Sequence, residues 1–183
     1  MSRQVAQSPV SYPINVTRLP AKGMPIWLEA DERQRRELAR LHQLDSVESF
    51  RFDLTLSRWQ GEGIRVAGRV KAVIGQTCIV SLEPMQSTID EEVTALLVPS
   101  HSRLLRPDSD SGELMIDAEG PDMPEPFEGD EVDAGALAEE FFALAIDPYP
   151  RREGVELKAG NNADDEPSRG PLYDQLRALS RKD

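Results

Sequence analysis

The chain reads Phe50-Arg51-Phe52-Asp53-Leu54-Thr55-Leu56-Ser57 over its most regular stretch, where apolar and polar side chains alternate strictly. A period of two places the apolar residues on one face of a β-strand and the polar residues on the other. Gly61-Glu62-Gly63 then supplies the backbone freedom for a tight reversal, so a return strand is predicted. Its residues on the apolar face are Ile64, Val66, Gly68, Val70, Ala72 and Ile74. Two shorter strands are expected upstream, at 12–19 and 24–30.

Two further strands are predicted after a break at Gly75-Gln76. The first covers 77–82, has Cys78 facing inward and is ended by Pro84. The second covers 87–98, and short connections between successive strands imply an antiparallel meander. The inward row of that strand is Ile89, Val93, Ala95 and Leu97, with Glu91 at a rim. We therefore expect a curved, partly barrel-like sheet with one apolar face that must be covered.

Two amphipathic helices are predicted to cover that face and to complete an α+β fold. Asp31 suits the N-cap of a helix ending at His42, because Gln34 follows three residues later, as in a capping box. Asp133 caps a second helix over 134–146. The apolar stripe of the first helix is Leu38, Leu41 and Leu44, and that of the second is Leu137, Phe141, Leu144 and Ala145, widened by Phe142.

The predicted organisation is a single domain flanked by flexible segments. Residues 1–10 should be disordered, and 11–150 should form one α+β domain that contains an acidic mobile loop at 99–132. Every charged side chain between residues 107 and 133 is acidic, and a short strand could form at 114–117. A flexible linker at 151–169 leads to an amphipathic helix at 170–183. The apolar stripe of this helix, a candidate partner-binding surface, is Leu172, Leu176 and Leu179.

The composition limits the classes of partner. The 183 residues include 33 Asp and Glu against 21 Lys and Arg, a formal net charge of −12. Such acidity disfavours generic binding to nucleic acid or anionic membranes and favours a basic partner, or a local basic face on an acidic body. One cysteine cannot form an internal disulfide, and no apolar run approaches the ~20 residues that span a bilayer. We therefore expect a cytoplasmic protein.

No catalytic or metal-binding constellation is found in the sequence. Cys78 falls in register with apolar residues and is interpreted as a small core residue rather than a ligand or nucleophile. His42 and His101 have no metal-ligand neighbour at helical or hairpin spacing and are expected at the surface. The pairs Glu91-Glu92 and Glu139-Glu140 are adjacent, so their side chains diverge and make no acid/base pair. We predict a protein that is not an enzyme and uses no cofactor or metal.

Four basic residues are predicted to share the polar face of the first hairpin: Arg51, Arg65, Arg69 and Lys71. Such a patch suits phosphate contacts, because each guanidinium can bind two phosphate oxygens while it neutralises charge. The alternative is an ordinary solvated sheet face. The small number of aromatic side chains on this face, which base stacking would use, argues against RNA binding. Trp59, near the turn, could stack with a base or could pack. The four residues are therefore a candidate binding site for RNA or another partner.

Two blocks of the sequence resemble a known family. They are Gln76-Thr77-Cys78-Ile79-Val80-Ser81-Leu82-Glu83-Pro84 and Asp133-Ala134-Gly135-Ala136-Leu137-Ala138-Glu139-Glu140, the latter extended by Ala143-Leu144-Ala145-Ile146-Asp147-Pro148-Tyr149-Pro150. Arg18-Leu19-Pro20-Ala21-Lys22-Gly23 and Gly170-Pro171-Leu172 add to the match in the expected order. The chain resembles the YceD-like family of large ribosomal RNA subunit accumulation proteins, in its alphaproteobacterial form.

The resemblance implies a role and leaves its mechanism open. Family members are linked to normal accumulation of the large-subunit rRNA, and no enzymatic activity is established for them as a class. Some relatives carry a second cysteine three positions after the first, a spacing that can form half of a zinc site. Here that position is Ser81.

The resulting hypothesis is a bacterial, non-enzymatic accessory factor for ribosome biogenesis that supports 23S rRNA accumulation. Its expected partners are 23S rRNA, pre-50S components, or basic ribosomal or assembly proteins. The acidic loop is either a solvated linker or a functional segment, which could bind such basic proteins or screen the sheet until a partner displaces it. The alternative function is a small-ligand-binding half-barrel without a ribosomal role.

Overall fold

The computed structural model describes residues 7–105, 123–152 and 154. They form an α+β fold with a five-stranded sheet, a separate two-stranded sheet and two α-helices. The strands are β1 (Pro13–Asn15), β2 (Met24–Glu29), β3 (Ser46–Trp59), β4 (Gly63–Thr77), β5 (Pro84–Pro99), β6 (Glu125–Phe127) and β7 (Glu131–Asp133), and the helices are α1 (Glu32–Leu41) and α2 (Ala134–Ala145). Short 3-10 helices occupy Val16–Arg18 and Arg103–Leu105. The strand predicted at 114–117 and the helix predicted at 170–183 lie outside the described residues.

The main sheet has the order β2-β3-β4-β5-β6. Its first four strands are antiparallel neighbours, as the meander prediction requires, although α1 connects β2 to β3. The last strand, β6, departs from the meander because it pairs parallel to β5 over three residues. The sheet remains open and is not a closed barrel.

The β3–β4 hairpin confirms the alternation that the sequence predicts. The apolar residues of both strands are buried on one face of the sheet, which we call the inner face. The reversal uses Gly61, whose φ of +80° favours glycine, and Trp59 pairs with Gly63 at its base. The fully or almost fully buried residues of the two strands are Phe50, Phe52, Leu54, Leu56, Ile64, Val66, Val70, Ala72 and Ile74.

The strand predicted at 77–82 is wrong. β4 continues through Gly75 and Gln76 to Thr77, and residues 78–83 form a turn before β5 begins. Within the turn the Cys78 N–H donates to the Glu83 carbonyl at 2.9 Å, and the Leu82 N–H donates to the Cys78 carbonyl at 2.9 Å. Pro84 therefore opens a strand rather than ending one, a position that proline tolerates.

The caps of both helices are confirmed, but the buried stripe of each differs from prediction. Asp31 and Gln34 form the capping box of α1, and Asp133 caps α2. Leu38 is buried, whereas Leu41 of the predicted stripe is exposed. The observed stripe of α2 is rotated, because Phe142 is fully buried while Leu144 is 78% exposed. The α2 residues that face the core are Ala134, Leu137, Ala138 and Phe142.

The helix α2 covers the inner face, as predicted. The rings of Phe50 and Phe142 meet edge to face, with centroids 5.3 Å apart. Such aromatic pairs contribute about 1 kcal/mol beyond the area that they bury. The contact therefore joins the centre of the hairpin to the helix that seals it.

The N-terminal segment is held by the region before α2. β1 pairs antiparallel with β7, and Asp133 accepts hydrogen bonds from the Ser11 hydroxyl (2.6 Å) and the Tyr12 N–H (2.8 Å). The strand predicted at 12–19 is thus shorter, because the 3-10 helix replaces it after Asn15. Val10, just before the predicted domain start at residue 11, is fully buried.

Candidate functional site

All four basic candidate residues lie on the face of the main sheet opposite α2, which we call the outer face. Arg51 is directly across from Lys71, Asp53 is across from Arg69, and Ser57 is across from Arg65. The structure thus brings Arg51, Arg69 and Lys71 into neighbouring positions. Arg65 is four residues from Arg69 along β4, about 13 Å away at the usual rise of a strand.

Carboxylates share the outer face with these four residues. Asp90 accepts hydrogen bonds from Arg69 Nε at 2.7 Å and from Lys71 Nζ at 2.8 Å. These bonds hold the pKa of Asp90 below its usual value and raise the pKa of Arg69. Glu29 lies opposite Arg51, and Asp53 and Glu92 flank Arg69 on either side. The outer face therefore carries balanced charges rather than an isolated basic patch.

An exposed tryptophan on the outer face was missed by the sequence analysis. Trp27 is 70% exposed and lies opposite Asp53, diagonal to Arg51. The alternation Pro25-Trp27-Glu29 in β2 could have placed it there, once β2 is known to pair with β3. Trp59, which the sequence left open, is half-buried, packs over Gly63 and lines with Arg65 a cavity of about 170 Å³.

Cys78 is buried, as predicted, but in a polar turn. Its Sγ accepts hydrogen bonds from the backbone N–H groups of Ser81 at 3.5 Å and Arg152 at 3.4 Å. Hydrogen bonding from Ser81, and then from Arg152, lowers the pKa of the Cys78 thiol to about 6. Because the thiol is enclosed, these bonds stabilise a local structure rather than expose a nucleophile.

The turn that holds Cys78 docks onto the segment after α2. Ile79 N–H donates to the Pro150 carbonyl at 3.0 Å, and Gln76 Nε2 donates to the Asp147 carbonyl at 2.9 Å. Arg152 then pairs with Glu83 at 2.6 Å. The two blocks of sequence that carry the family resemblance are thus joined in space.

An open groove of about 790 Å³ lies beside this junction, at the end of the main sheet. Gln76 Oε1 is buried there without a hydrogen-bond partner among the described residues. The side chains around the groove are polar or charged for the most part and include Asp45, Ser46, Met85, Gln86, Arg151 and Arg152. No group of three or more His, Cys, Asp or Glu residues in the described part of the chain could hold a metal ion.

A largely enclosed hydrogen-bonded pair, His42 and Glu139, connects the end of α1 to α2, and the surface prediction for His42 is wrong. His42 Nε2 lies 2.9 Å from Glu139 Oε1, and the two side chains are only 17% and 10% exposed. Burial opposes ionisation of Glu139, but hydrogen bonds from His42 and Ser8 outweigh it and lower its pKa. The His42 ring also packs edge to face on Phe142. His101 is exposed, as predicted.

Comparison with known proteins identifies a family and no individual relative. No curated protein and no solved structure matches the chain. Within residues 7–105, 123–152 and 154, neither helix is long and apolar enough to cross a membrane. The family model described as "Large ribosomal RNA subunit accumulation protein YceD" matches residues 66–179, a range that begins in β4 and includes the Cys78 turn and α2. Because this match covers well over half of the 183 residues, the chain belongs to the YceD family.

Proposed function

We propose that this chain is a non-enzymatic accessory factor for large ribosomal subunit biogenesis. It supports the synthesis, processing or stability of 23S rRNA by binding rRNA, a ribosomal protein or an assembly factor. The observation that carries the proposal is the family match over residues 66–179, since the family is named for accumulation of the large ribosomal RNA.

Binding rather than catalysis fits the placement of the reactive side chains. The Cys78 thiol is enclosed in a turn, and the His42–Glu139 pair ties α1 to α2. Both arrangements have a structural purpose, so Cys78, His42 and Glu139, the groups of the described residues that best suit nucleophilic or acid/base chemistry, are already engaged.

The outer face is the surface proposed for partner contact. Arg51, Arg65, Arg69 and Lys71 supply cations, and Trp27 supplies an exposed ring on which a base or a guanidinium can stack. Because carboxylates balance these cations, the face suits a partner with both charge signs better than a bare phosphate backbone. The C-terminal stripe of Leu172, Leu176 and Leu179 stays a second proposed contact, outside the described residues.

Deletion of the gene tests the role directly. We expect lower 23S rRNA and fewer complete large subunits, measured by RNA quantification and sucrose-gradient profiles. Normal 23S rRNA and a normal subunit profile in the deletion strain would refute the proposed function. Expression of the chain from a plasmid should restore both, which excludes an effect on neighbouring genes.

Direct RNA contact is tested separately with a variant in which all four basic residues are changed to Ala. Each lost phosphate contact should reduce the slope of log affinity against log salt by about 0.7 to 0.9. An unchanged affinity and slope would remove these residues from an RNA site. A matched control removes four cations at exposed positions elsewhere, by changing Arg18, Arg33, Arg36 and Arg40 to Ala.

The small-ligand alternative receives no support from the core. Phe50 and Phe142 pack against each other between the sheet and α2, Phe52 packs against Tyr12, and each of the three phenylalanines is at most 1% exposed. The 790 Å³ groove lies at the end of the sheet, where it is open and largely polar. A small-ligand site is usually an enclosed, mostly apolar cavity, whereas these rings pack directly against their neighbours.

A further inference from the structure

The strand β5 presents a long backbone edge. It is 16 residues long and pairs with β4 from Pro84 to Leu97. On its other side, within the described residues, it pairs only with β6, at Leu97, Val98 and Pro99. Residues 85–96 therefore have no strand partner on that side in the part of the chain that the structure describes. Unpaired N–H and C=O groups along such an edge can accept another strand.

Three consecutive carboxylates occupy the middle of this edge. Asp90 and Glu92 project from the outer face, whereas Glu91 lies on the inner row between Ile89 and Val93 and is nevertheless exposed. Arg69 and Lys71 both pair with Asp90. In the described part of the chain, Glu91 and Glu92 have no basic group within ion-pair distance. Because Arg69 and Lys71 already neutralise Asp90, the negative charge that is left to attract a partner is that of Glu92 on the outer face and Glu91 on the inner row.

This charge selects among strands that could add to the edge. A second copy of β5 pairing here in central register would place carboxylate opposite carboxylate, which is destabilising. A strand with Lys or Arg at three successive positions would instead meet Asp90 and Glu92 on one face and Glu91 on the other, because strand side chains alternate. The edge therefore opposes self-association and favours an extended basic strand.

We propose that the open edge of β5 around Asp90, Glu91 and Glu92 binds an extended, Lys/Arg-rich segment of a partner protein by strand addition. The inference rests on the proposed function only in assigning that partner to large-subunit assembly. Main-chain hydrogen bonds supply affinity, and the charges supply specificity and salt dependence.

The test uses the full chain and a nine-residue probe peptide, Val-Thr-Val-Lys-Arg-Lys-Val-Thr-Val. We expect binding that weakens with salt and that slows backbone amide exchange within residues 86–95, measured by hydrogen–deuterium exchange. Glu91→Lys/Glu92→Lys should weaken binding about tenfold or more, because it converts attractions into repulsions. The control Glu62→Lys/Glu140→Lys changes net charge equally at exposed positions elsewhere and should bind the peptide as the parent does.

Two probe controls separate a strand from a charge effect. A peptide with Glu in place of its three basic residues should not bind, and one with Pro at alternate positions should lose the amide protection. Three results would overturn the proposal. The peptide could slow amide exchange outside β5, or the two double variants could lose equal affinity for the peptide. A single-stranded RNA oligonucleotide could also bind tightly at this edge in place of the peptide.

Failure of this inference can be told apart from failure of the proposed function. If the peptide binds as described but deletion of the gene leaves 23S rRNA normal, strand addition at β5 is supported and the ribosomal role is refuted. If deletion lowers 23S rRNA but the peptide does not bind at β5, the ribosomal role is supported and strand addition at β5 is refuted.

Discussion

A single added methyl group at Gly135 should destabilise the protein, although glycine-to-alanine changes within helices usually stabilise. Gly135 lies in the first turn of α2, where the N-terminal segment crosses it. A Cβ there would lie 1.8 Å from the Val10 carbonyl oxygen and 2.8 Å from the Tyr12 nitrogen. Both are backbone atoms, so the segment itself must move by at least about 1 Å, because real Cβ contacts are essentially never below 3.0 Å.

The magnitude follows from what that movement breaks. Three hydrogen bonds join the segment to the start of α2: Ser11 to Asp133, Tyr12 to Asp133, and Ala134 to Tyr12. Each contributes about 0.5 to 1.5 kcal/mol, and the better helix propensity of alanine returns about 1 kcal/mol. We expect a net loss of about 0.5 to 3.5 kcal/mol, which for a chain of this size lowers Tm by roughly 1 to 14 °C.

Thermal and urea unfolding of Gly135→Ala measure this loss. A useful comparison is Gly129→Ala, where φ is +72° and no atom lies within 4 Å of the added Cβ. That variant should lose only the roughly 1 to 2 kcal/mol of a left-handed backbone. A Gly135→Ala protein as stable as the parent would refute the conclusion that the Val10 backbone packs too closely on α2 to accept a side chain at residue 135.

Three further perturbations have expected outcomes. Glu139→Gln should make the stability of the protein depend less on pH in the acid range. The lowered pKa of Glu139 stabilises the folded state at pH values above 4.5, and this stabilisation is lost as the pH falls through the folded-state pKa. Urea unfolding from pH 3 to 7 measures the difference. Asp31→Ala should cost about 1 kcal/mol by removing the capping bond to the Gln34 N–H, and a loss below about 0.3 kcal/mol in urea would contradict that role. Cys78→Ala should be less stable than the parent by an amount that grows as the pH rises from about 6 towards 9, because the lowered pKa of Cys78 favours the thiolate of the folded state over that pH range. A difference in stability that does not depend on pH would exclude a stabilising thiolate.

Local patterns predicted those elements whose signals are repeated and unambiguous. Four alternations in 50–57, and their continuation after the glycine turn, fixed the faces of β3 and β4 because each residue agreed with its neighbours. The capping box at Asp31 was identifiable because both of its members lie within one helical turn.

Elements with a weak local signal were misassigned. Cys78, Val80 and Leu82 alternate like a strand, yet Leu82 adopts a φ of +58° in a turn that is held by Pro150 and Arg152, more than 60 residues away. In α2 the adjacent Phe141 and Phe142 allow two helix faces, and only packing against Phe50 selects Phe142. Both outcomes depend on contacts that are distant in sequence.

The candidate site shows the same limit. Alternation correctly placed the four basic residues on one face, but alternation within one strand says nothing about which residue lies across from it. Register put Asp90 beside Arg69 and Lys71, and it put Trp27 across from Asp53. Charge balance on the outer face is therefore a property of strand pairing.

The pairing of β1 with β7 ties the order of folding to protein synthesis. Ile14 lies beside Val132, although more than 100 residues separate them along the chain. At elongation speeds of roughly 5 to 20 residues per second, the first strand waits roughly 6 to 24 s before its partner exists. Until β7 has been made, Ile14 lacks the strand partner it has in the folded protein, so the two-stranded sheet can form only after β2 to β6 have been synthesised, and a translation arrest before β7 leaves β1 unpaired.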